Sequence, residues 1–396
     1  MSDKLAINGG DPVRHTMLPY GRQDINQADI QSVVDVLKTD WLTTGPKVSE
    51  FESEFANVVG ATEAVSVSSG TAALHASMHA LNVGIGDEVI LPAITFAATA
   101  NCILYQGGTP VFADVDSTTL LLDINKLESK INSNTKAIVA VDYAGHPCDY
   151  DALRTLADQH NIALVADACH SLGGMFGERS VGSLADINAF SFHPVKAITC
   201  GEGGMITMAD KLLAEKIRTF RNHGITTDHH HRSTKGEFHY DMAGLGFNYR
   251  LTDVQSALGI NQIKRLSEFT KCRRTIAAQY NSMFEEHAVI DTLNVDSRVF
   301  HPYHLYVVKL RLENLKVDRD HIFAALRAEN IGVNVHYLPV YLHSYYRALG
   351  YRLGSCPVAE KVYEQILSLP IFSTMTREDV EDVVAACNKV FSAYIK

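Results

Sequence analysis

Long apolar runs are missing from this chain of 396 residues. No uninterrupted apolar stretch reaches about 18 residues, so no membrane-spanning helix is expected. The N-terminus shows no charged-then-apolar leader; Met1-Ser2-Asp3-Lys4 passes into a Gly-Gly turn. Cysteine is sparse: seven residues, scattered, odd in number and without a Cys-x-x-Cys pair. That argues against a disulfide framework or a zinc ribbon and fits a reducing cytoplasm. Positive charge is in deficit, with 35 Lys and Arg against 45 Asp and Glu and a formal charge of −10. No basic stripe stands out, so nucleic-acid binding is disfavoured. Internal repeats and low-complexity linkers are absent as well. His229-His230-His231 reads as a solvated loop rather than a metal site, beside Asp228, Arg232 and Lys235. No metal is expected.

What is present is an ordinary globular composition, 46% hydrophobic and 20% charged, with enough chain for two cores. Short apolar runs at 64–68, 88–91, 110–113, 136–141 and 163–166 read as strands. Helical patterns at 30–37, 50–59, 72–81, 99–105 and 151–160 lie around and between them. Such alternation predicts an α/β sheet, mostly parallel. Ligands then gather beyond the carboxyl ends of the strands, where Ser69, Phe96 and Asp167 fall. Past Leu251 the character changes. One long helical pattern covers 252–284, opened by a capping box at Thr252-Asp253-Val254-Gln255. A strand at 303–310, a helix at 319–329, a strand at 332–336 and a closing helix at 377–391 follow. The expected organisation is a large α/β domain over 1–255. Residues 256–396 then form a long helix and a smaller C-terminal α+β domain.

Chemistry concentrates in two segments. Ala166-Asp167-Ala168-Cys169-His170 follows the apolar run at 162–165, and Lys196 stands about thirty residues on, in Ser191-Phe192-His193-Pro194-Val195-Lys196. A carboxylate at a strand end can keep a pyridinium nitrogen protonated, and a lysine can form a Schiff base. Together they suit pyridoxal phosphate (PLP) used as an electron sink. Ser69-Gly70-Thr71 opens a helix, whose unpaired N–H groups and positive dipole end suit a phosphate. Ser191 would add a donor, Phe96 would cover one face of a planar ring, and His170 would bond the ring oxygen. Each of these alone has a blander reading: a cap, a core aromatic, a solvated lysine.

These segments together resemble the DegT/DnrJ/EryC1/StrS family of sugar aminotransferases. So do Ser68-Ser69-Gly70-Thr71-Ala72-Ala73-Leu74, Thr95-Phe96-Ala97-Ala98-Thr99-Ala100-Asn101, Gly201-Glu202-Gly203-Gly204, Arg221-Asn222-His223-Gly224 and Gly246-Phe247-Asn248-Tyr249-Arg250-Leu251-Thr252-Asp253. The likeness runs in order along almost the whole chain. Val141-Asp142-Tyr143-Ala144-Gly145, Val335-His336-Tyr337-Leu338-Pro339-Val340-Tyr341 and Ser368-Leu369-Pro370 are most similar to the branch that serves pseudaminic acid synthesis. The resemblance implies a PLP-dependent transferase of fold type I, like aspartate aminotransferase, and a homodimer with shared sites. It implies catalytic Lys196 and Asp167. Gly70, Thr71, Phe96, His170 and Ser191 would bind the cofactor, and Asn248 would reach the cofactor phosphate of the partner subunit. Tyr20, Arg22, His336 and Tyr337 would approach the sugar. The implied substrates are a UDP-linked 4-keto-6-deoxy sugar aminated at C4 and L-glutamate as donor. 2-Oxoglutarate would leave and the pyridoxamine form (PMP) would carry the amine. Rival readings are a sugar dehydratase, which has His in place of the lysine, an aminotransferase for another 3- or 4-keto sugar, and a non-catalytic PLP-fold regulator.

Overall fold

The computed structural model describes residues 4–226 and 238–396. His229, His230 and His231 lie outside the described residues. Seven strands build the main sheet: β1 (Glu63–Val67), β2 (Glu88–Pro92), β3 (Thr109–Ala113), β4 (Thr135–Val141), β5 (Ala163–Asp167), β8 (Ile187–Ser191) and β9 (Gly204–Met208). Between β5 and β8 lie two-residue strands, β6 (Met175–Phe176) and β7 (Arg179–Ser180), which form a small ribbon with β11 (Val299–Phe300). The main sheet runs β1-β9-β8-β5-β4-β2-β3, and only β9 is antiparallel to its neighbours. The expectation of a mostly parallel sheet therefore holds. The strands are nearly continuous apolar runs because both faces are covered.

Helices α1 (Gln27–Leu37), α2 (Pro46–Val59), α3 (Gly70–Ala80), α4 (Ala97–Tyr105), α5 (Tyr150–His160) and α6 (Lys211–Phe220) accompany the sheet. Local chemistry starts the first five one to four residues before the helical patterns read from the sequence. Asn26 and Asp29 cap α1 reciprocally, Pro46 opens α2, and Asp149 and Asp210 cap α5 and α6. No described helix is long and apolar enough to cross a membrane.

The single helix expected over 252–284 is two helices, α7 (Asp253–Lys264) and α8 (Leu266–Met283), divided at Arg265. The Arg265 N–H turns to the Gln262 and Ile263 carbonyls, and its guanidinium is held by Asp24 at 2.9 Å and Asp29 at 3.3 Å. Ile260, Ile263, Leu266 and Phe269 stay buried across the break, so the apolar period hides it. The capping box is present, with Thr252 and Gln255 bonded reciprocally.

A second core gathers β10 (Ile290–Thr292), β12 (Tyr306–Leu310), β13 (Ile366–Leu369), α9 (Arg319–Ala328) and α12 (Arg377–Tyr394). Two short helices, α10 (Ser344–Ala348) and α11 (Pro357–Tyr363), lie between α9 and α12. β12 begins three residues later than expected because Tyr303 has φ 51°, outside the extended region. The strand expected at 332–336 is not a ladder. That stretch makes one isolated bridge, Asn334 with Ser368, and Ile331 just before it bridges Leu18. Leu5 and Leu18 belong to this second core. Buried Glu329 holds the segment there, accepting from the Ala6 and Val13 N–H groups at 2.8 and 3.0 Å and from Lys389 at 2.9 Å. The N-terminal residues thus ride on the C-terminal core, and the Ile371 N–H donates to the Tyr20 carbonyl.

Candidate active site

The carboxyl ends of β1, β2, β4, β5 and β8 point to one edge of the main sheet, and the 192–203 loop joins β8 to β9 at that edge. Asp167 is the last residue of β5 and is buried. Its carboxylate accepts from the Thr99 hydroxyl at 2.7 Å and from the Cys169 N–H at 3.3 Å. Both donors fix an acceptor pointing out of the sheet edge. No Lys or Arg forms a salt bridge with it among the described residues. Lys196 lies in the loop, its N–H bonded to the His193 carbonyl at 2.9 Å. Desolvation pulls its amine below the ordinary lysine value, while the neighbouring Cys169 and Asp167 pull the other way. A lysine held closer to neutrality is what a nucleophile and proton carrier requires.

Ser69 caps α3, its hydroxyl accepting from the Ala72 N–H at 3.1 Å. The N–H groups of Gly70 and Thr71 in the first turn are left for a ligand. Ser191, at the end of β8, comes so close that a Cβ on Gly70 would stand 2.7 Å from the Ser191 Cβ and 3.3 Å from the Cys169 sulfur. Glycine here lets the helix start meet the ends of β5 and β8. A Gly70→Ala variant is therefore expected to overpack this junction, costing about 1–3 kcal/mol. A PLP titration of the apoprotein should read a correspondingly weaker affinity. Unchanged affinity would mean that the helix start can shift freely.

His170 is buried, and burial pushes its imidazole well below the ordinary value, helped by the charge of Lys196. Its Nε2 is 3.2 Å from the Tyr337 hydroxyl, and its Nδ1 is buried without a partner. With Tyr337 donating to Nε2, Nδ1 carries the ring hydrogen and is free to bond an acceptor. Tyr20 packs on His336 with ring centroids 5.4 Å apart, and the Ser368 hydroxyl lies 2.8 Å from the His336 Nδ1. Burial lowers His336 to about 4, so it too is neutral near pH 7. Phe96, after β2, is not core: it is 59% exposed, its ring 6.0 Å from that of Tyr337. An aromatic face open at the sheet edge suits the stacking reading over the packing one. Arg22 lies over the Phe372 ring at 5.7 Å and shares a small cavity with Lys196, Gln262 and Arg273.

Asp167, Lys196, Gly70, Ser191, His170, Tyr337, His336 and Tyr20 thus form one connected group. Asn248 stands apart within the single chain. It is exposed and bridged to Asn222, which lines a different cavity of about 890 Å³ with Trp41, Glu52, Arg221 and Arg250. Two side chains at the site escaped the sequence reading. Thr99 is reached through Thr95, whose hydroxyl is 2.7 Å away; the i, i+4 threonine spacing was its one signal. His304 packs against His170 with centroids 4.4 Å apart, and its Nδ1 is also buried and unpartnered. No local pattern around His301-Pro302-Tyr303-His304 marks it.

A planar, phosphorylated, ring-nitrogen ligand fits what is here. The helix start and Ser191 suit its phosphate, Asp167 its ring nitrogen, the orphaned His170 Nδ1 its ring oxygen, and Lys196 its aldehyde. Comparison with known proteins agrees. The model of the DegT/DnrJ/EryC1/StrS aminotransferase family matches residues 23–388. The chain is 40% identical to the spore coat polysaccharide biosynthesis protein SpsC of Bacillus subtilis, over 95% of this chain and 98% of that one. Among solved structures, Spr1654 of Streptococcus pneumoniae in its PMP form superposes with a TM-score of 0.89 at 32% identity, covering 95% and 99% of the two chains. The same protein is also solved in a PLP form. PseC of Helicobacter pylori, an aminotransferase of pseudaminic acid biosynthesis, superposes at 0.88 with 30% identity, covering 96% and 100%. The fold is that of the type I PLP enzymes. The cofactor is PLP, with PMP as its intermediate form. The chain belongs to the DegT/DnrJ/EryC1/StrS aminotransferase family and is a PLP-dependent sugar aminotransferase.

Proposed function

We propose that this enzyme moves an amino group from L-glutamate to C4 of UDP-2-acetamido-2,6-dideoxy-β-L-arabino-hexos-4-ulose. The product is UDP-4-amino-4,6-dideoxy-N-acetyl-β-L-altrosamine, and the pathway leads to pseudaminic acid. The observation that carries the reading is the Lys196 amine placed with Asp167 and His170 at the sheet edge, on a chain that superposes over nearly its full length with PseC. PLP supplies an electron sink that lets a proton leave the donor's Cα. Lys196 anchors the cofactor, then moves that proton from the donor carbon, and later returns one to C4 of the sugar. Asp167 keeps a proton on the ring nitrogen. Gly70, Thr71 and Ser191 hold the phosphate, Phe96 covers one ring face, and His170 donates from Nδ1 to the ring oxygen. Asn248 serves the phosphate of the partner subunit in a cytoplasmic homodimer. Tyr20, Arg22, His336 and Tyr337 orient the nucleotide sugar. Three of these four lie on segments tied to the second core, at Tyr20, His336 and Arg22 over Phe372.

The 40% identity to SpsC favours a second reading, in which the amine goes to another nucleotide-linked 3- or 4-keto sugar used for a surface polysaccharide. One experiment separates them. The visible band of the PLP form is followed while glutamate is added, then the UDP-linked 4-keto sugar. Loss of the band with glutamate and its return with that sugar are expected. Loss without return would keep the aminotransferase and discard this sugar in favour of the second reading. No loss would discard glutamate as donor.

A further inference from the structure

Asp142 follows the last residue of β4, one strand over from Asp167, and is fully buried. Three donors converge on its carboxylate: the Ser171 hydroxyl at 2.6 Å, the Tyr150 hydroxyl at 2.9 Å and the Cys148 N–H at 2.9 Å. Its own N–H donates to the Asp167 carbonyl at 3.2 Å. Ser171 closes the turn that begins at Asp167 and carries His170. Asp142 therefore grips both ends of that turn, by backbone at Asp167 and by side chain at Ser171. The residues after Asp142 press on the same parts. A Cβ on Gly145 would lie 3.0 Å from the His170 carbonyl oxygen, so the chains are in close contact there. The Tyr143 hydroxyl donates to the His336 carbonyl, and the Ala144 carbonyl accepts from the Leu305 N–H at 3.1 Å.

We propose that Asp142 is a positioning residue for the cofactor site, holding the Asp167–Ser171 turn so that Asp167 and His170 meet the cofactor ring together. It rests on the roles given above to Asp167 and His170. No cation pairs with Asp142 among the described residues. The ionisable groups around it are Tyr150 from the start of α5, Cys148 from the loop before it, Asp167 from β5 and Cys169 from the turn. Burial pushes its carboxyl up to about 7; the three donors oppose this and Asp167 adds to it. Protonation as the pH falls through that range turns one acceptor oxygen into a donor. The Ser171 hydroxyl, whose oxygen can also accept, must then turn its bond round toward the Ala168 carbonyl, and the charge that strengthens all three bonds is lost, so the hold on the turn that reaches the cofactor weakens.

The test compares Asp142→Asn, Ser171→Ala and Tyr150→Phe in the PLP-loaded enzyme. It reads the midpoint of the cofactor's absorbance–pH titration and the affinity for added PLP. The first two variants are expected to move the midpoint by about one pH unit and to weaken PLP binding about tenfold, as expected for a lost bond to a charged group. Tyr150→Phe removes a donor on the helix side and should lower thermal stability while leaving both readings in place. An unmoved midpoint and affinity in Asp142→Asn overturns the proposal, and so does an equal shift in Tyr150→Phe, which would indicate general loosening. Should Asp142→Asn fail to fold, Ser171→Ala decides alone. Asp167→Asn in the same titration separates the causes of failure. If Asp167 moves the band and Asp142 does not, positioning alone falls. If Asp167 does not move it either, the site assignment falls and takes the positioning with it.

Discussion

Lys196→Ala is expected to lower turnover by about 10⁴-fold or more, since one residue would lose both its nucleophilic and its proton-carrying task. The fold should survive. Lys196 is no part of either apolar core, and its loop is held by other contacts, such as the Cys200 N–H on the Phe192 carbonyl and the Thr199 hydroxyl on the same oxygen. Two readings separate loss of chemistry from loss of structure. Thermal unfolding should change little, and borohydride should fix the cofactor covalently to the wild type but not to the variant. Turnover above background in the variant would remove Lys196 from the mechanism. A pH dependence follows from the same residue. In the PMP form Lys196 is free, and its working state is the neutral amine. Burial lowers its pKa from 10.5, so more of it is neutral at a given pH than for a solvated lysine. The rate of the sugar half-reaction should therefore climb with pH and level off below that value. A rising limb centred at the ordinary lysine value would mean that the amine is not desolvated in the working enzyme.

What the sequence makes legible and what it conceals divide along chain distance. Strands β1 to β5 lie within a residue or two of the apolar runs, because buried parallel strands show their character locally. Asp167 at the end of β5 and Ser69-Gly70-Thr71 at the start of α3 fall where their residue types lead one to expect them, and Lys196 stands in the loop after β8. Phe96 on its own looks like core; only its exposure beside Tyr337 reverses that. The break at Arg265 is set by Asp24 and Asp29, more than 200 positions away, and no periodicity carries that information. The same holds for Thr99 on Asp167, His304 on His170 and Glu329 on the N-terminal segment. Asp142 is present in the sequence as part of a family-like segment, but its partner Ser171 lies 29 residues on. The chemistry of a lone carboxylate does not say which turn it will hold. Residues defined by local geometry can be read, and those defined by tertiary pairing require the fold.

Asp167→Asn is expected to reduce turnover by about 10²–10³-fold, the scale on which removing one preorganised electrostatic partner acts. The substitution is nearly isosteric. The amide oxygen can still accept from the Thr99 hydroxyl, which keeps its own place through Thr95. What is lost is the negative charge, together with the weak bond from the Cys169 N–H at 3.3 Å. A charged acceptor holds the ring nitrogen of PLP protonated, whereas a neutral amide does not, and the electron sink weakens accordingly. No salt bridge joins Asp167 to a Lys or Arg among the described residues; the Lys196 amine that feels its charge is already pulled toward neutrality by burial, so the fold should survive the substitution. Thermal stability of the cofactor-free protein should change little beside the loss of turnover. The loss should appear in both half-reactions, with glutamate and with the keto sugar, because the ring nitrogen serves both. Single-turnover rates for each half, followed by the cofactor's absorbance, test this directly. A loss confined to one half-reaction would make Asp167 a substrate contact, and an unchanged rate in both would mean that another group holds the ring nitrogen.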